Sequence, residues 1–290
     1  MSGNGKTREL FKSAFDSVWV VESPPPGLDP SGRPVYEMIE NELPCSGFDE
    51  FQPRYCNVAS EEQLWESLSA LEDEVLKNGK HPILHLDIAH GCREDPGFSL
   101  ANDDFIPLPE LKETLVAINR ATGFDLLLTV ATCFGGFVAG LCRPPGGAPA
   151  CAAIGPVKSV KSQDLIDAYS AFYRELLQTG NVDSAVDALD HEKPCTFNKD
   201  MFDARGLFVK GYQTFVSVVE NPQALQQLLS QLPAGSTLRP RLRRVISKAR
   251  KPSEEGDVSS FEQVKKEYFM LDEFPSNRER FQLDQISGSL

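Results

Sequence analysis

The stretch Leu126-Leu127-Leu128-Thr129-Val130-Ala131 constrains the fold of this chain more than any other. It is continuously apolar rather than alternating. It therefore reads as a strand covered on both faces, the condition of a central strand in a parallel sheet. A second compact, apolar-rich run, Ile83 to Ala89, follows Pro82. Val18-Trp19-Val20-Val21 and Ala150 to Ile154 read as two further strands. Helical periodicities lie between them. Ser60 with Gln63 makes a capping-box pattern, Leu64, Leu68, Leu71 and Val75 share one face, and Gly79 closes that helix. Leu108, Leu111, Leu115 and Ile118 mark a second helix. Leu165, Tyr169, Phe172 and Leu176 mark a third, with Ser162 as its expected N-cap and Gly180 just beyond it. Gly97 to Leu100, Asn102-Asp103 and Phe105-Ile106 predict a small hairpin. Pro24-Pro25-Pro26-Gly27 breaks structure, and residues 27–59 lack clear periodicity, so they are expected to be irregular. Strands alternating with helices predict an α/β sheet with a mostly parallel core. Beyond about residue 181 the chain reads as mainly helical, and from about 236 it is highly charged.

The bulk numbers narrow the function classes. The chain has 290 residues, 41% of them hydrophobic, enough for a sizeable core. Its formal net charge of −13 argues against nucleic acid and anionic membranes as partners, because both repel an acidic surface. It has no apolar run of about 18 residues and no apolar signal core near its start, so a cytoplasmic protein is expected. The seven cysteines (45, 56, 92, 133, 142, 151 and 195) are odd in number and include no Cys-x-x-Cys pair. Free thiols are expected, and neither a metal nor a cofactor. Gly5-Lys6-Thr7 lacks the upstream glycine and the preceding strand of a phosphate loop. The basic cluster Arg239, Arg241, Arg243, Arg244, Lys248, Arg250 and Lys251 would pair with the chain's own acidic surface or with a partner.

Reactive side chains of open parallel sheets collect at the carboxyl ends of the strands. One strand here runs into His90-Gly91, and the next long apolar run leads into Cys133, with Gly135 and Gly136 behind it. A right-handed strand–helix–strand unit would set those two ends side by side. The chemistry needs both groups. A free thiol titrates near pH 8.5, and an adjacent imidazole raises the thiolate fraction and can protonate a leaving amine. Backbone N–H groups of Gly91 and Cys133 are the candidate oxyanion donors. Cys92 is the rival nucleophile, while Cys142 and Cys151 read as core residues. Asp87, three residues before His90, should point to the opposite face and serve as a structural carboxylate. Asp164 should offset the dipole of its helix.

The segment Ile83 to Gly91, then Gly97 to Asn102, then Leu126 to Gly136 resembles the caspase-like fold family, and most closely its bacterial CHAT-type branch. Ala152 to Pro156, with the helix carrying Phe172-Tyr173 and Leu176-Leu177, is similar to the segment after the nucleophile in that branch. The likeness covers roughly residues 80–190. It implies a three-layer α/β sandwich with helices on both faces of the sheet and a helical C-terminal extension. The expected organisation is an N-terminal segment 1–60, a catalytic core 61–190 and a charged helical part 191–290.

The implied activity is that of a cysteine endopeptidase, with Cys133 as nucleophile, His90 as its acid/base partner and Gly91 in the oxyanion hole. The implied partners are a protein substrate and a separate activating protein or ligand; a defence role is implied at family level only. Relatives that cut after basic residues often carry an acid two positions before the nucleophile, where this chain has Ala131. Two alternatives stay open: an inactive caspase-like binding scaffold, and a small-molecule acyl hydrolase using the same dyad.

Overall fold

Successive residues of a strand point to opposite faces, and in β1 (Ser17–Ser23) that alternation feeds two separate cores. Val18 and Val20 join one buried cluster, Trp19 and Val21 the other. The computed structural model describes residues 15–24, 27, 29–46, 51–88, 97–132, 141–142, 144, 146–189, 197, 203–220, 223 and 258–286. Within them, β2 (Gln52–Asn57), β1, β3 (Pro82–Ile88), β6 (Leu127–Val130) and β7 (Ala152–Ile154) form one sheet in that spatial order. Every pairing in it is parallel. The same alternation recurs in β3, with Ile83 in one core and Leu84, Leu86 and Ile88 in the other.

The helices divide between the two cores. α1 (Gly32–Ser46) and α4 (Ser162–Thr179) contribute Val35, Ile39, Leu165, Phe172 and Leu176 to the first. α2 (Glu61–Asn78) and α3 (Leu108–Ala121) contribute Leu64, Leu68, Leu111 and Leu115 to the second. Topology requires this split. α1 carries the chain from β1 outward to β2, whereas α2 and α3 carry it the opposite way across the sheet. Right-handed crossovers of opposite direction lie on opposite faces. The strand order therefore reverses between β1 and β3, which is the switch point of the sheet.

The α2 expectation is met in detail. Ser60 caps it by accepting the Gln63 amide (3.4 Å), and Gln63 reaches back to the Ala59 amide (2.7 Å). Gly79, at φ +63°, returns its N–H to Val75. The four side chains named from periodicity are the four that are buried, each worth about 1.5–3 kcal/mol over exposure. The hairpin is present as β4 (Gly97–Ser99) and β5 (Phe105–Pro107). Helix α4 begins at Ser162, but Lys161 occupies the cap position and makes no side-chain capping bond, so Ser162 is not the N-cap.

Residues 27–59 are not irregular, because they contain α1 and β2. Pro34 falls in the first turn of α1, where its missing N–H is harmless. β2 is the edge strand, half exposed and mostly polar, so it lacks the apolar signature of its neighbours. Gln52 and Val58 donate their amides to Asp16 and Glu22 on the β1 side (2.9 and 2.8 Å). Odd-numbered amides of β2 thus face outward, and Pro53 removes one of them. The open edge is blunted against strand addition.

The C-terminal helices are part of the first core. α5 (Val182–Ala188) and α6 (Ala204–Glu220) are followed by α7 (Val258–Tyr268) and α8 (Asn277–Arg280). Phe261, Tyr268, Phe269, Phe281 and Leu283 are buried in the same cluster as Val18, Ile83 and Leu127. Arg280 is the tie. Its guanidinium donates to the Phe124 carbonyl (3.0 Å), the Asp125 carboxylate and the Cys151 sulfur (3.2 Å), joining α8 to the entries of β6 and β7. Among the described residues no helix is long and apolar enough to cross a membrane.

Removing one partner of a buried ion pair strands the other. Arg280→Met is expected to lower the unfolding free energy by about 3–5 kcal/mol in urea denaturation. The double substitution Asp125→Asn with Arg280→Met should cost less than the single one.

Candidate functional site

β3 and β6 are hydrogen-bonded neighbours, with Ile83 opposite Leu127 and Leu86 opposite Val130. The ladder continues one step past β6, where the Ala131 amide donates to the Leu86 carbonyl (2.8 Å). Both strands therefore end at the same, carboxyl edge. The described chain runs to Ile88 on one side and to Thr132 on the other. His90, Gly91, Cys92 and Cys133 lie outside the described residues, as do Gly135, Gly136 and the 239–251 basic cluster. Ala131 and Thr132, which lead into Cys133, are both buried.

The described part of this edge carries a buried polar cluster at the switch point between β1 and β3. Glu22 and Asp87 are facing residues of the two strands. Both are buried, on the face covered by α1. Glu22 Oε1 accepts the amides of Gly32 (2.7 Å) and Arg33 (3.3 Å), the first of α1. Its Oε2 accepts the Tyr55 hydroxyl from β2 at 2.5 Å. Ser31 donates its hydroxyl to Asp87 Oδ2 at 2.6 Å. Burial, and then the adjacent Glu22, push the Asp87 carboxyl up to about 7. Burial and the bond to Glu22 push the Tyr55 phenol far above its ordinary value. Gly32 fits tightly here, since a Cβ on it would lie 3.1 Å from Glu22 Oε1 and 3.2 Å from the Asp87 Cβ. Asp87 accepts the Ser31 hydroxyl inside the fold, and its orientation relative to His90 lies outside the described residues. Glu22, Ser31 and Tyr55 were not singled out in the sequence. The one local signal was the polar Glu22-Ser23 after the apolar run Val18 to Val21.

A second polar group lies one step deeper on β3. His85 Nδ1 is 2.8 Å from Thr129 Oγ1 on β6, and the Tyr173 hydroxyl of α4 lies 2.9 Å from that oxygen and 3.2 Å from Nδ1. Tyr169 meets the His85 ring edge-on at 4.8 Å. The other ring nitrogen, Nε2, is buried with no hydrogen-bond partner among the described residues. Full burial holds this imidazole neutral and lowers its pKa to about 3. Its place in the middle of the strand, closed off from solvent, suits a core histidine rather than an acid/base group.

The described thiols contrast with what a nucleophile requires. Cys56, Cys142 and Cys151 form no disulfide among the described residues. Burial pushes Cys142 up to about 12 and raises Cys56 as well, so neither favours its thiolate. No group of three or more His, Cys, Asp or Glu gathers in metal-binding geometry among the described residues. Comparison with models of known protein families finds no match, and neither does comparison with curated proteins.

His85 gives a pH dependence whose sign is fixed. The unfolded chain binds a proton at this residue below about pH 6.5, and the folded chain does so only near 3. Its contribution to stability is present above pH 6.5 and is lost as the pH falls through that window. Between pH 6.5 and 4 the wild type should lose on the order of 3 kcal/mol relative to His85→Gln, measured by urea denaturation across pH.

Proposed function

We propose that this protein is a cysteine endopeptidase in which Cys133 attacks the scissile carbonyl and His90 serves as its acid/base partner. The observation that carries this reading is the parallel pairing of β3 with β6. His90 stands two residues past the end of β3, and Cys133 directly follows Thr132, where the described part of the β6 segment ends. The pairing brings the two strand ends to one edge, as a Cys–His dyad requires. The resemblance of residues 80–190 to the caspase-like family supports the same assignment.

In the proposed reaction His90 takes the thiol proton and the Cys133 sulfur adds to the carbonyl carbon. The oxyanion is held by the amides of Gly91 and Cys133. Collapse of the adduct breaks the C–N bond as His90 returns the proton to the leaving amine. Water then cleaves the thioester. Ala131 places no acid two residues before the nucleophile, so nothing at that position selects a basic residue in the substrate. A separate protein or ligand acts as activator.

An electrophilic, thiol-selective activity probe tests the assignment, with the adduct mapped by mass spectrometry. The wild type should label at Cys133. Cys133→Ala should abolish that adduct, His90→Ala should slow it by about 10²-fold or more, and Cys92→Ala should leave it in place. Labelling of Cys133 no faster than that of the other cysteines, and indifferent to His90→Ala even with candidate activators present, would remove the peptidase reading.

A further inference from the structure

Two buried carboxyl groups on facing residues of adjacent strands cannot both be charged at low cost. The donors around Glu22 and Asp87 decide which one is. Glu22 receives three: the amides of Gly32 and Arg33, at the positive end of α1, and the Tyr55 hydroxyl. Asp87 receives the Ser31 hydroxyl and a weaker share of the Gly32 amide, whose close bond is to Glu22. Charge belongs where the donors are, so the proton sits on Asp87. We propose that Glu22 and Asp87 form a proton-sharing pair, with the proton on Asp87, that holds the exit of β3 in place and makes the Cys133–His90 site sensitive to alkaline pH. This rests on the reading of that site given above.

The neighbours leave little room for another answer. β1 presents Glu22 and β2 presents Tyr55. The amino end of α1 presents Ser31 and two amides, while the Arg33 guanidinium lies 5.9 Å over the Tyr55 ring and pairs with Glu37 at the surface. On the β6 side the next position in register is Ala131, which does not titrate. Along β3 the nearest titratable group on the same face is the neutral His85. Among the described residues none of these supplies a cation that would let Asp87 ionise cheaply. When Asp87 loses its proton, two like charges face each other across one strand spacing of about 4.8 Å. They strain the ladder three residues before His90. Asp87 is thus a positioning residue, and its raised pKa agrees with the donor count.

Asp87→Asn tests the pair, because an amide has the shape of the protonated acid and can donate to Glu22 at every pH. Two readouts are compared with the wild type. The first is urea unfolding across pH. Asp87 is protonated in both states below about 4, and in the folded state alone up to about 7. The wild-type midpoint should therefore fall relative to Asp87→Asn as the pH rises through that window, then run level. The second is the alkylation rate of Cys133 by iodoacetamide. The ratio of Asp87→Asn to wild type should rise about threefold or more between pH 5.5 and 8.5. A midpoint difference independent of pH overturns the shared proton, and a flat rate ratio overturns its link to the site. If wild-type Cys133 alkylates no faster than a thiol in the unfolded chain, the peptidase reading fails, and the unfolding comparison still decides the pair.

Discussion

Parallel strands cannot be joined by a tight turn, so every connection in this sheet must cross one of its faces. That constraint produces most of the architecture. The ladder of β1 with β2 and β3, and of β3 with β6, demands crossover helices on both sides. Covering both faces in turn calls for strands that are apolar at most positions. β1 and β3 are buried along their whole length. The same ladder gathers all strand ends of one polarity at one edge. Residues distant in sequence meet there, and the sheet has two apolar cores and one chemically varied margin.

Polar groups admitted to the interior at that margin and one step below it are tied to neighbouring elements, although His85 Nε2 stays unpaired among the described residues. Glu22 takes two orphan amides of α1, of which that of Gly32 would otherwise be buried and unpaired. His85 shares its bonds with Thr129 and Tyr173 across β3, β6 and α4, tying three elements of the first core together. Their titrations oppose each other. Acid costs the fold stability through His85, whereas between about pH 4 and 7 it is alkali that does so through Asp87. The two effects overlap in pH and offset each other in the wild type, so each is visible as a difference from its own variant. At the opposite edge the Arg280 guanidinium serves a similar end by binding the C-terminal segment to the entries of β6 and β7.

What the sequence revealed depended on the range of the interaction. α2 was legible to its caps, because Ser60, Gln63, the four buried apolar residues and Gly79 all act within one helix. The central strands were legible because burial on both faces leaves continuous apolar runs. α1 was hidden by Pro34 and Pro44, which punctuate an otherwise amphipathic pattern. β2 was hidden because an edge strand is half exposed and its pairing is set by β1, not by its own composition. The carboxyl cluster had no local signature, since Glu22, Ser31, Tyr55 and Asp87 come from four segments and meet only when the sheet forms. His90 and Cys133 could be named from the residues that end two apolar runs, and the neighbouring order of β3 and β6 is what that choice assumed.

The most direct measurement is the ionisation of Cys133 itself, read from its carbamidomethylation rate between pH 5 and 10 in the wild type and in His90→Ala. The account predicts an inflection below the free-thiol value of about 8.5 in the wild type, moved upward by the loss of His90. Inflections at or above that value in both proteins would contradict it.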